Sequence, residues 1–146
     1  MWNEASSHKE NGWVNLIILK KFKNISIIWG LMKTLKDLTI IIVTFNTPKN
    51  IILECLRSIK NNDVKILIIE NSNIFLHKNE VESEFSNVDI LCTGKNLGYG
   101  KGNNFGIQHT KSEYALILNP DVICDENFFS NIPVVINEAK DFSIIG

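Results

Sequence analysis

Arginine is almost missing from this chain of 146 residues; Arg57 is the single one, and the other basic residues are lysines. Lys, Asn and Ile are frequent, a bias that an AT-rich coding sequence produces without functional cause, so single lysines and asparagines carry little weight. Net charge is also lacking. At −1 overall, with no aromatic-laced basic patch beyond the N-terminal segment, the balance gives a nucleic-acid partner no footing. Cysteine is scarce: Cys55, Cys92 and Cys124 are far apart, odd in number and without CxxC or Cys/His spacing. That excludes a disulfide framework or zinc motif and leaves three buried thiols in a reducing cytosol as the expectation. No clean apolar run reaches the ~20 residues of a spanning helix. Lys20, Lys21 and Lys23 interrupt the N-terminal one, and no small-residue cleavage site makes it a signal peptide. His8, His77 and His109 have no partner pattern and read as solvated or structural.

What is present suits one domain with a real core, since 45% of residues are hydrophobic and 21% charged. Residues 1–37 read as an extension. Within it Ile18, Phe22, Ile25, Trp29 and Met32 recur at steps of four and three, which predicts a basic amphipathic helix over 13–36 that can lie on an anionic membrane surface or pack on a partner. Met32 is an alternative start, and residues 1–31 are expected to be dispensable for folding. From residue 38 the chain alternates strand and helix. LTIIIVTF (38–45) is a strand covered on both faces; Pro48, after a candidate cap at Thr47, opens a helix with Ile51, Ile52, Cys55, Leu56 and Ile59 inward; VKILII (64–69) is a second strand. A short helix is expected around 80–85, a strand at 88–92, a helix over 103–110, a strand at 114–118, and a helix over 126–139 interrupted near Pro133. A last strand begins at Phe142, so residues 38–146 read as part of a longer open, mostly parallel α/β unit.

Ligands of such sheets settle at the carboxyl ends of the strands. Four polar groups fall there: Thr44 to Asn46, Glu70 to Ser72, Gly94 to Asn104, and Asn119 to Asp121. The Gly-rich group is not a Walker A loop, because Lys101 is followed by Gly102 rather than Ser or Thr. Nor is it a dinucleotide fingerprint, since it follows the third strand of the α/β unit and lacks a third glycine at Asn103. What remains is a loop whose glycines let backbone approach a ligand, with Asn96, Asn103 and Asn104 as hydrogen-bonding groups.

VTFN (43–46), ENSN (70–73), KNLGYGKGNNFGI (95–107) and LNPDV (118–122), in this order and spacing, resemble the family 2 glycosyltransferases of the GT-A fold, the rhamnosyltransferase-like members most. The resemblance covers 38–146 and implies a cytoplasmic enzyme, at the inner face of the membrane if the N-terminal helix binds there. It would move a sugar, with inversion, from a dTDP- or UDP-sugar to a glycan or lipid-linked acceptor in cell-surface polysaccharide synthesis. It also implies roles. Thr44 and Asn46 would line the base pocket, Glu70 would accept from the pyrimidine, Asn96, Gly98 and Asn103 would contact the donor, and Asp121 would ligate Mg²⁺ or Mn²⁺. Two positions depart from the pattern: Glu70 stands where the family usually has Asp, and Asn119 replaces the first acid of an Asp-x-Asp pair. The family's catalytic base, an acceptor-side carboxylate further along, has no counterpart here, so the catalytic residue is unassigned. The competing expectations are a truncated chain that binds nucleotide or partners another subunit without turnover, and a sugar-nucleotide-forming nucleotidyltransferase. The latter wants a basic Gly-rich loop after the domain's first strand, where this chain has TFNTPKN.

Overall fold

The computed structural model describes residues 17–20, 35–61, 63–139 and 144–145. Its elements are β1 (Ile17–Lys20), β2 (Leu38–Thr44), α1 (Lys49–Ser58), β3 (Lys65–Glu70), α2 (Lys78–Glu84), β4 (Val88–Cys92), α3 (Tyr99–His109), β5 (Tyr114–Ile117), α4 (Phe128–Glu138) and β6 (Ile144–Ile145). A 3-10 turn at Leu35–Asp37 leads into β2. The strands form one sheet in the order β4-β3-β2-β5-β1-β6. The four strands β4, β3, β2 and β5 run parallel, and helices make the crossovers between them.

Seven consecutive buried residues make β2 the central strand, and its side chains divide the core in two. Leu38, Ile40 and Ile42 meet Ile52 and Leu56 of α1, Val81 of α2, and Phe129, Ile132 and Ile136 of α4 on one face. Ile41 and Val43 join Leu67, Ile69, Ala115 and Ile117 on the other, under Phe105 and Ile107 of α3. Three helices therefore cover one face and α3 the other. This layering brings the carboxyl ends of the parallel strands together along one edge of the molecule.

Several expectations are corrected. Residues 17–20, inside the stretch read as a helix, form a strand paired antiparallel with β5. The β-branched pair Ile17-Ile18 suits a strand, and the outer edge of β5 offers unpaired backbone groups that a helix cannot satisfy. Residues 35–36, at its end, lie in the 3-10 turn, and the remainder of that helical reading lies outside the described residues. The boundary at residue 37 therefore does not detach the extension from the sheet. α4 runs through Pro133 without a break. One backbone bond is lost there, and the stripe of Phe129, Ile132 and Ile136 buried against the sheet offsets it. Pro48, not Thr47, takes the N-cap position of α1, and its carbonyl accepts from Ile51 and Ile52. Cys55 and Cys124 are buried, but Cys92 is exposed, because β4 is an edge strand. Among the described residues no helix is long and apolar enough to cross a membrane.

Candidate functional site at the strand tips

Thr44 and Glu70 are register partners at the ends of β2 and β3. Thr44 Oγ1 donates to Glu70 Oε2 at 2.7 Å, and the Asn46 amide approaches Oε1 at 3.5 Å. Both side chains are buried, Glu70 to 2% exposure. A carboxylate so placed is costly unless its oxygens are used, and the groups bonded to it here are a hydroxyl and a long amide contact rather than a cation. It keeps acceptor capacity for an N–H that enters from the tip. The chain turns at Asn46 with φ 52, a left-handed value that Asn tolerates better than most residues. Between them in the chain Phe45 is half exposed at the end of β2. Sequence reasoning passed over Phe45, because an aromatic ending an apolar run reads as core; its place between two polar tip residues was the signal that could have found it.

The loop after β4 is tied back across these tips. The Thr93 amide bonds the Glu70 carbonyl at 2.9 Å, and Gly94 N–H bonds Ser72 O at 3.1 Å. Asn71 Nδ2, from a buried side chain, donates to Gly98 O at 3.2 Å. Asn96 is exposed and its Oδ1 accepts from Gly98 N–H at 2.8 Å, which fixes Gly98 at φ 79. α3 begins at Tyr99, four residues before the expected start. Gly102 serves close contact: a Cβ there would lie 2.9 Å from Val43 Cγ1 and 3.1 Å from Asn71 Nδ2. Asn103 is only 8% exposed, and its Oδ1 has no partner among the described residues. It is a packed polar group beneath the loop, whereas Asn96 and Gly98 stand at the surface.

On the far side of β2 lies the turn after β5. Asn119 is partly buried and Asp121 exposed. Tyr99 OH donates to Asn119 Oδ1 at 2.6 Å, joining the first residue of α3 to this turn. The Asn119 carbonyl accepts from Cys55 Sγ at 3.8 Å. Cys55 is pushed up to about 12 by burial, with the charges of Cys124 and Asp121 adding to it. The Asp121 carboxylate therefore lies close enough to α1 for its charge to be felt there.

β3 and β5 lie two strand spacings, roughly 10 Å, apart across β2, with Glu70 closing the one and Asp121 four residues past the end of the other. A nucleoside diphosphate can span that gap. Among the described residues no three His, Cys, Asp or Glu side chains gather as a metal cluster. One exposed carboxylate fits Mg²⁺ or Mn²⁺ only as a cation that keeps waters and takes phosphate oxygens as its other ligands. His109 stacks on Phe105 and its Nδ1 lies 2.7 Å from Phe105 O, a structural setting. Two cavities on the described surface, about 210 and 360 Å³, are lined by Lys65 and Asp89 at the opposite, amino ends of the strands.

Residues 39–143 match the sequence model of Glycosyl transferase family 2. The chain is similar to the low-salt glycan biosynthesis hexosyltransferase Agl10 of Haloferax volcanii, with 30% identity over 117 residues, 76% of this chain and 36% of that protein. It is also similar in structure to S. aureus TarS 1–349, with a TM-score of 0.59 and 19% identity over 69% of this chain and 32% of that one. That second likeness speaks to the fold alone. The chain spans about a third of the length of these relatives.

Proposed function

Since the chain belongs to glycosyl transferase family 2, we propose that its strand tips bind the nucleotide-diphosphate part of a sugar donor for transfer to a glycan or lipid-linked acceptor in cell-surface polysaccharide synthesis. The observation that carries this reading is the loop over residues 93–99, which is hydrogen-bonded to the tip of β3 through Asn71 and to the turn after β5 through Asn119. One continuous surface results, running from a buried acceptor to an exposed carboxylate. Glu70, held by Thr44 with Asn46 beside it, takes the base N–H, and Phe45 stacks on the base. Asn96 and Gly98 edge the sugar-diphosphate, with Asn103 supporting them from below. The amino end of α3 faces the same loop, and its free N–H groups favour the phosphates.

Transfer leaves negative charge on the departing nucleoside diphosphate. A divalent cation held by Asp121 supplies the Lewis-acid compensation when bound. Glu70 and Thr44 position the base, and Asp121 presents the hard oxygen such a cation prefers. No residue is assigned as the general base of an inverting transfer. The free thiols, one of them exposed, support a cytosolic setting.

Calorimetric titration with UDP and dTDP, with and without Mn²⁺, tests the reading. Wild type is expected to bind with a cation-dependent gain, and Asp121→Ala to lose that gain while keeping its fold by circular dichroism. Equal affinity in the mutant rejects the cation assignment. A radiolabelled sugar-transfer assay on the same chain separates donor binding with turnover from donor binding without it.

A further inference from the structure

Asn119 is held in one orientation. An O–H···O bond runs roughly 2.5–3.0 Å and an N–H···O bond roughly 2.7–3.2 Å. The 2.6 Å between Tyr99 OH and Asn119 therefore belongs to a hydroxyl on a carbonyl oxygen, which turns Oδ1 toward Tyr99 and Nδ2 away from it. The main-chain carbonyl of Asn119 is taken as well, by the Val122 N–H at 3.3 Å and by the Cys55 thiol at 3.8 Å. Burial keeps that thiol protonated, hence a donor, across the neutral range. Both kinds of acceptor on Asn119 are thus engaged, and its amide N–H groups have no hydrogen-bond partner among the described residues.

The residue that does the holding is itself fixed at its root. Tyr99 opens α3 directly after Gly98, whose carbonyl accepts from Asn71 and whose N–H is bonded to Asn96. These hydrogen bonds set where the phenol starts, while its ring is half exposed at the surface of the site. A ring on an open surface gains little from burial. Its ordered role here is the one bond made by its hydroxyl.

Asn119 sits two residues before Asp121, and with Oδ1 turned to Tyr99 its two amide N–H donors are the groups that carry no hydrogen bond among the described residues. An amide donor calls for an acceptor, and among the parts of a sugar nucleotide the strongest acceptors are the diphosphate oxygens. We propose that Tyr99 is a positioning residue that locks the Asn119 carboxamide as a hydrogen-bond donor to the donor diphosphate, leaving Asp121 alone to take the cation. This rests on the nucleotide-sugar reading above. It divides the turn after β5 into a cation-independent contact and a cation-dependent one, two residues apart.

The test titrates UDP into wild type, Tyr99→Phe and Asn119→Asp, each in Mn²⁺ and in EDTA, with thermal melts to verify folding. Tyr99→Phe removes one oxygen and frees the amide to rotate. A hydrogen bond to a charged group is worth ~1.5–3 kcal/mol, so UDP binding is expected to weaken about tenfold, by the same factor in both conditions. Asn119→Asp keeps an oxygen for Tyr99 but replaces the donor with a second negative oxygen. Binding in EDTA is expected to fall about tenfold or more while binding in Mn²⁺ holds or improves, so the ratio of the two dissociation constants rises. A residue that only stabilises the fold would lower the melting temperature and leave both dissociation constants of the folded protein unchanged. If Tyr99→Phe fails to fold, the Asn119→Asp ratio decides alone. Unchanged affinity of folded Tyr99→Phe, or an unchanged ratio in Asn119→Asp, overturns the proposal while wild-type binding keeps the nucleotide site. If wild type binds neither UDP nor dTDP in either condition, the nucleotide reading fails and this inference with it.

Discussion

Burial separates the three thiols. Cys55 is raised to about 12 by desolvation first and by neighbouring charge second, and Cys124 is raised by desolvation too. Cys92 is exposed on the edge strand. Iodoacetamide at pH 8 is therefore expected to alkylate Cys92 in the native protein, with Cys55 and Cys124 reacting only in denaturant, as read by peptide mass spectrometry. The pH effect has a definite sign. A thiol whose folded pKa lies above its unfolded value near 9 stabilises the fold fully below that value. The contribution shrinks as pH rises from about 9 toward 12. Urea unfolding midpoints should hold from about pH 7 to 8.5 and fall above about 9, and Cys55→Ser should flatten that fall. At this scale the tip positions of Thr44 and Glu70 were legible, because a polar residue that closes an apolar run marks the end of a strand. Tyr99 and Phe45 were not, since an aromatic is core by default and only geometry shows it exposed at a site. Asn103 illustrates the reverse: a polar residue in a Gly/Asn run reads as surface, yet packing put it inside.

Among the elements, α3 departs furthest from its sequence. Gly98, Gly100 and Gly102 read as loop, because glycine is a poor helix former, and only from 103 on did the pattern read as helix. The structure uses Gly102 and Gly106 to bring the helix axis close to the sheet. A Cβ at Gly106 would sit 2.6 Å from Ile41 Cγ2 and 3.2 Å from Ile69 Cγ1, both fully buried. Gly106→Ala would gain ~1 kcal/mol of helix propensity and meet overpacking of ~1–3 kcal/mol, so a net loss of about 1 kcal/mol is expected in urea unfolding. A gain instead would mean that α3 has room to shift. The four parallel strands were legible almost to the residue, because continuous β-branched runs such as 38–44 belong in a parallel sheet covered on both faces. α4 was legible in extent but not in continuity: its proline argued for a break, and the three side chains it buries argued harder.

At the level of the whole molecule, alternation of strand and helix told the class of fold, and the helical crossovers told that these strands run parallel. What sequence could not tell was the origin of the strand on the outer edge of β5, which comes from a segment whose periodicity suits a helix. Pairing partners that distant leave no local trace. Removal of residues 1–31 would strip β1 from the sheet, baring β5 on one side and leaving β6 without its described partner. The truncated chain is expected to keep its far-UV circular dichroism but to associate with rising concentration in light scattering. A truncated form that stays monomeric and melts at the same temperature would make β1 incidental.

The pairing of Ile17 with Ile117 also fixes an order in time. A ribosome releases the shielding segment long before the edge it shields, so β5 emerges to find its cover already waiting, and the nascent sheet is spared an interval in which another copy could dock there.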